Sequence, residues 1–330
     1  MKAYPSWARA AARHAAVLCM AATAFASGAA RAAGPAGTYP DHPVRLIVTY
    51  SPGGAFDFIG RLLAKGLQDL WGQAVVVENR PGASGAIGAD LVARAKPDGL
   101  TLLIGSAGPV VVVPFLRDSL PYDPLKDLQP VAMTAIIPNV LVVGAKSRYH
   151  TFKELLDDAR ARPGQIDYAS SGRGDSHQMS MEHMMRATGV RLNEIPYKGG
   201  APAVVAVSSG EVSAAWLAVS TALPLIQTGQ VRPLAVSTNV RVPDLPGVPT
   251  VAESGYPGFE VIYWIGVMGP ANMPPAVLRK LQADLRKVYD TREYRDNIEK
   301  TGNMMRFGDA EEYGRVIRAD YARNKQLLAP

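Results

Sequence analysis

From residue 44 to the end of the chain, short β-branched runs alternate with longer segments of helical periodicity, and few architectures accept that pattern. The strand-like runs are residues 45–50, 74–78, 101–105, 139–143, 167–169, 214–217, 234–237 and 262–268. Helical segments fall between or after them at 56–70, 87–95, 152–161, 178–188, 202–209, 275–289 and 310–324. Such alternation predicts an α/β fold in which sheets are covered by helices on both faces. Two helix starts are signed in the sequence: Thr151 with Glu154 three residues on forms a capping box, and Pro274-Pro275 opens a helix where the missing amide is harmless. With 330 residues, 48% hydrophobic and 19% charged, the chain can bury a sizeable core and is expected to form two domains. Residues 241–257, rich in proline, read as a long irregular connection.

The first 32 residues stand apart. Lys2, Arg9 and Arg13 make a basic start, residues 15–26 are apolar, and Ala30-Arg31-Ala32 offers a small-x-small cleavage site, so a secretory signal removed near Ala32 is expected. The apolar stretch is too short for a membrane span of about 20 residues. Cys19, the single cysteine, lies inside this leader behind the bulky Leu18, which argues against lipidation. The mature chain then has no cysteine, excluding disulfides, thiol catalysis and thiolate metal sites. Four positive charges also leave with the leader, so the formal +6 falls to +2. No basic run with interleaved aromatics suggests a nucleic-acid partner.

Five glycine-rich turns carry the chemistry. Residues 50–61, YSPGGAFDFIGR, follow a strand and enter a helix, but lack both the lysine of a phosphate-binding P-loop and the spacing of a dinucleotide loop. What remains is a helix N-terminus with exposed amides and two adjacent glycines, a site that suits a carboxylate as well as a phosphate. The turns at 79–88, 105–109, 170–176 and 197–202 have the same strand-to-helix character. In an open α/β sheet such turns lie at the carboxyl ends of strands, where ligands bind.

Catalysis and metals find no support. Gly82-Ala83-Ser84-Gly85 misses the nucleophile elbow because Ala86 holds its last position. Ser171, Asp175 and His177 crowd into seven residues, whereas triad members come from separate elements. His177 and His183, six apart, sit on different helix faces. No cofactor is expected.

Taken in order, these segments resemble the Bug family of periplasmic solute-binding proteins, the TctC-like extracytoplasmic receptors of tripartite tricarboxylate transporters. The carrying motifs are YPDHPVRLIV (39–48), PGGAFDFIGR (52–61), VVVENRPGASGAIGADLVARAKPDGLTLL (75–103), LPYDPLKDLQPVA (120–132), YASSGRG (168–174), IPYKGGAPAVVAVSSGEV (195–212), RPLAVST (232–238) and LPGVPTVAESGYPGFEV (245–261). The resemblance implies a type II periplasmic binding protein of two mixed-sheet α/β domains closing like a flytrap. Residues 39–141 with 262–330 would form the first and 142–261 the second. It implies no enzymatic activity, a small organic carboxylate as ligand, the permease subunits of a tripartite transporter as partner, and a monomer in the periplasm. One carboxylate would be held by first-domain loops, Gly53, Gly54, Ala55, Phe56 and Asp57 with Ser106 and Ala107. Ser171, Gly172, Gly199, Gly200 and Ala201 would present the second-domain face, with Trp216, and equally Trp264, as ring contacts or core. A sensor presenting its ligand to a membrane-bound kinase, or an exported α/β hydrolase, are the alternative readings.

Three positions depart from the family pattern. Phe56 stands where Ser or Thr often precedes the aspartate, the loop before His177 is about one residue short, and Ser213 replaces a common acidic residue. The loss of that acid and the gain of Phe56 point to a carboxylate with an apolar or aromatic body rather than a zwitterionic amino acid.

Overall fold

The computed structural model describes residues 39–328 other than 118, 171, 173, 198 and 199, so the expected leader, Ser171 and Gly199 lie outside the described residues. From Pro40 onward the chain forms one compact unit. It contains two sheets. The first is built from β1 (Val44–Val48), β2 (Val75–Asn79), β3 (Thr101–Gly105), β4 (Leu128–Ile137), β10 (Tyr263–Pro270) and β11 (Met304–Gly308), in the order β11-β4-β10-β3-β1-β2. The second holds β5 (Asn139–Gly144), β6 (Asp167–Ser170), β7 (Asn193–Pro196), β8 (Ala214–Ala218) and β9 (Val231–Val236), in the order β7-β6-β8-β5-β9. Both sheets are mixed: β1 runs parallel to β2 and β3, β6 parallel to β7 and β8, while β10 and β5 run antiparallel to their neighbours. The backbone passes from the first sheet to the second at Pro138 and returns through residues 237–262.

Helices cover both sheets: α1 (Ala55–Trp71), α2 (Ala86–Ala93), α3 (Phe152–Ala161), α4 (Ser176–Thr188), α5 (Gly200–Ser209), α6 (Val219–Gln227), α7 (Pro275–Tyr289), α8 (Arg292–Lys300) and α9 (Ala310–Leu328). α1 shows why a helix forms and where it sits. Ile59, Leu63 and Leu67 recur every four residues and are buried, the apolar stripe of an amphipathic helix. Gly60 lies on that stripe; a Cβ there would come 3.0 Å from Val48 and 3.2 Å from Ile104, so its absence lets α1 lie close on β1 and β3. The helix stops at Gly72, in the left-handed conformation with φ 64°. The capping box of α3 is present in full, Thr151 accepting from the Glu154 amide.

The elements missed by periodicity have physical reasons. β4 carries Pro130 near its start, α6 carries Pro224 inside it, and both read as broken in sequence. β7 is short and polar, and α8 buries only Tyr294 and Ile298.

Both tryptophans considered as ligand contacts are core residues. Trp264 packs edge-on against Tyr313, centroids 5.2 Å apart, and donates from Nε1 to Asp320 at 2.9 Å. Trp216 is fully buried with Tyr168, Leu155, Met181 and Met184. It sits within β8 on the side facing α3 and α4, which corrects the expectation of a ring contact at the ligand.

Candidate ligand-binding site

The carboxyl ends of β1, β3, β6 and β8 open on a cavity of about 450 Å³. Tyr50, Ala55, Phe56, Ser84, Ala107 and Gly108 line its first-sheet side; Gly172, Gly174, Asp175, Ser176, Ser220 and Thr221 line the other. Ile137 and Tyr263, which pair across β4 and β10 beside the crossing at Pro138, form the floor.

Three helices begin at this cavity. In α1 the first intrahelical bond runs from Phe58 N–H to Gly54 O at 2.9 Å, so the amides of Ala55, Phe56 and Asp57 precede it, and no side chain caps them. α6 starts at Val219 behind its N-cap Ala218, also without a side-chain cap. α4 is capped by Asp175, which accepts from the Gln178 amide at 2.7 Å. Helix N-termini carry about half a positive charge each and present unpaired amides. The starts of α1 and α6 make the cavity attractive to an anion, the Asp175 carboxylate already offsets the start of α4, and none of the described lining residues is cationic.

Aromatic rings shape the first-sheet wall. Phe56 stacks on Tyr50, centroids 4.5 Å apart and planes 20° off parallel. Burial raises the Tyr50 hydroxyl above its ordinary pKa, opposed by Ser106, whose buried Oγ donates to it at 3.3 Å. Gly108 makes room for that hydroxyl: a Cβ there would lie 2.7 Å from it and 3.2 Å from the Ser84 carbonyl. Ala83 and Ser84 hold φ of 53° and 54° between Gly82 and Gly85, also at positive φ. That run of left-handed backbone turns Ser84 into the cavity, and strain of this kind is characteristic of functional turns. Next to the lining residues Asp175 and Ser176, His177, with Nδ1 3.8 Å from Asp175, is pushed below the ordinary histidine value by burial, against the pull of that carboxylate.

Of the residues expected from sequence, Ala55, Phe56, Ala107 and Gly172 line the cavity. Asp57 does not. It is buried behind the loop, accepting from the Gly53 amide at 2.9 Å, from Asn79 at 2.9 Å and from Arg61 at 3.1 Å. It folds the loop rather than meeting a ligand, and it claims the Gly53 N–H that the sequence offered to one. Gly54 is exposed at the rim, Ser106 acts through Tyr50, and Gly200 and Ala201 open α5 outside the lining. Tyr50, Ser84, Gly108, Ile137, Ser176, Ser220, Thr221 and Tyr263 also line the cavity and are not among the ligand contacts expected from sequence. The turn containing Ser84 was a signal, since it is glycine-rich; Ser220 and Thr221 follow β8 as hydroxyls at a helix start.

A larger cavity, about 810 Å³, lies at the other end of the second sheet, lined by Gly144, Lys146, Arg148, Arg162, Ser209 and Ser213 among others. There α3 and α5 end rather than begin, so carbonyls face it and its cations complement helix C-termini. Ser213 belongs to this cavity, which removes the expectation that the residue faces the ligand.

The family profile described as the tripartite tricarboxylate transporter family receptor matches residues 59–329. Protein BugT of Bordetella pertussis is 41% identical over 244 residues, 74% of this chain and 75% of its own. Among solved structures, an R. palustris protein with adipate is 32% identical with a TM-score of 0.75, covering 88% of this chain and 97% of its own. MatC from Rhodopseudomonas palustris with bound malate is 27% identical with a TM-score of 0.73, covering 88% of this chain and all of its own.

Proposed function

The chain belongs to the tripartite tricarboxylate transporter receptor family, and we propose that within it this protein captures a small organic acid in the periplasm and hands it to a membrane permease, without chemical turnover. Its binding site is the cavity between the two sheets. The ligand carboxylate sits at the N-terminus of α1, and closure brings the starts of α4 and α6 onto the remainder of the molecule. The observation that carries this reading is the convergence on one cavity of two helix N-termini that no side chain caps, those of α1 and α6. The two related structures contain adipate and malate, so carboxylate ligands occur in this fold.

Phe56, Tyr50, Val112, Ile137 and Ala218 make much of the lining apolar. Such a wall favours an acid with an apolar or aromatic body, since each apolar Å² removed from water contributes about 25 cal/mol. The leader at residues 1–32 supplies export.

A thermal-shift screen of the mature protein against aliphatic diacids, aromatic acids, acidic amino acids and neutral sugars tests this reading. An acid held at about a hundred times its dissociation constant stabilises by about 2.7 kcal/mol; stabilisation by a sugar or a metal ion alone contradicts it. Phe56→Thr is expected to shift the preference between an aromatic and a short aliphatic acid by about fivefold. Stability falls by no more than about 1.5 kcal/mol, the worth of the lost stack. Equal loss for every acid would deny Phe56 a selecting role.

A further inference from the structure

The backbone crosses between the sheets twice, and both crossings are tied to the helix that starts at the ligand cavity. Asn139 opens β5 directly after Pro138, and Tyr263 opens β10 at the end of the return segment. The Tyr263 hydroxyl donates to the Ser176 carbonyl at 2.7 Å and lies 3.3 Å from Ser180 Oγ. Asn139 Nδ2 donates to the same Ser180 hydroxyl at 3.0 Å. Ser237, where the return segment begins, meets the outgoing strand in turn: its Oγ accepts from the Asn139 amide at 3.1 Å, and its own amide donates to the Asn139 carbonyl at 2.9 Å. Val261 N–H closes the loop on the Ser237 carbonyl at 2.8 Å.

Asn139, Ser180 and Ser237 are fully buried, so these bonds are shielded from competition by water. Ser176 and the Tyr263 ring also line the ligand cavity. One hydroxyl therefore joins the cavity wall, the first turn of α4 and the return crossing.

We propose that Tyr263 is a positioning residue: its hydroxyl fixes the start of α4 against the crossing strands, so that ligand held at α4 and the angle between the sheets are set together. The inference rests on the binding reading above, because it assigns to Tyr263 the orientation of the wall that closes on the acid. A ligand need not bond to the tyrosine for this to operate. Ligand that draws the α4 N-terminus inward acts on both crossings through Tyr263, Ser180 and Asn139.

Tyr263→Phe keeps the ring, its packing and its place in the lining while removing the bonds, and Ser180→Ala removes the second arm. In the ligand-free protein, amide exchange of α4's first turn and of residues 139–141 is expected to rise several-fold in Tyr263→Phe relative to wild type, with the global unfolding midpoint little changed. This arm needs no ligand, so it stands even if the screen identifies no acid. With a bound acid, affinity falls about three- to tenfold, the worth of one hydrogen bond. The loss lies in faster dissociation, and the ranking among acids is preserved. Tyr263→Phe and Ser180→Ala together cost less than the product of their separate effects. Unchanged exchange at α4 and β5 overturns the proposal, as does a changed ranking among acids, which would make the hydroxyl a ligand contact.

Discussion

Gly108→Ala is expected to weaken acid binding by about tenfold or more while the protein still folds. The added Cβ meets the Tyr50 hydroxyl at 2.7 Å and the Ser84 carbonyl at 3.2 Å. Neither can yield alone: Tyr50 is stacked on Phe56, and Ser84 sits in a run of left-handed backbone. Overpacking of this sort costs about 1–3 kcal/mol, and here the displaced atoms are the cavity wall itself. Gly200→Ala is the control, because its Cβ would find only the His177 ring at 3.7 Å, an ordinary contact. Its binding should stay within about twofold of wild type, well inside the tenfold that a 1.4 kcal/mol change produces. Calorimetric titration of both variants with the same acid, beside urea unfolding, separates the two outcomes. An unchanged affinity for Gly108→Ala would mean that Tyr50 and Ser84 do not shape the site.

Asp57→Ala is expected to lower stability by about 2 kcal/mol and affinity by about tenfold, because it leaves the Gly53 amide and Asn79 without their acceptor. The loop then pays its ordering entropy only when ligand arrives. The carboxyl also gives the site a pH signature. Burial alone would raise its pKa, but bonds from Arg61, the Gly53 amide and Asn79 outweigh burial and hold it below the ordinary value. A depressed folded value stabilises above the unfolded one, near 3.9, and the contribution is lost as pH falls through the folded value. The stability gap between wild type and Asp57→Asn should thus be full above about pH 5 and close as the solution is acidified below about pH 4. A gap that stays constant across that range would show that the charge of Asp57 does not matter to the loop.

Much of this arrangement was legible in the sequence. Strand-to-helix turns with glycines announce themselves, and α/β topology brings the carboxyl ends of strands together, so the loops at Phe56, Ala107 and Gly172 could be named in advance. The direction in which a side chain turns was not legible. Asp57 at a helix start reads equally as ligand contact or brace, and only the positions of Gly53 and Asn79 decide. Trp216 lies in AAWLA, buried along its length except at its end, so no alternation marks which face meets solvent, core or ligand. Ser213 precedes the same strand and falls at the opposite end from the cavity. Ile137 and Tyr263 are far apart in sequence and meet because the crossing strands pair side by side; no local pattern encodes that.

Whether a carboxylate is what the starts of α1 and α6 hold can be measured with one matched pair. The tightest-binding acid from the screen and its primary amide, of the same shape but neutral, are titrated calorimetrically into the mature protein at the same pH and ionic strength. Charge-assisted bonds to the α1 amides and the field of the helix ends together predict a loss of about 2.5 kcal/mol or more, roughly sixtyfold, for the amide. Binding of the amide within about threefold of the acid would contradict the carboxylate reading.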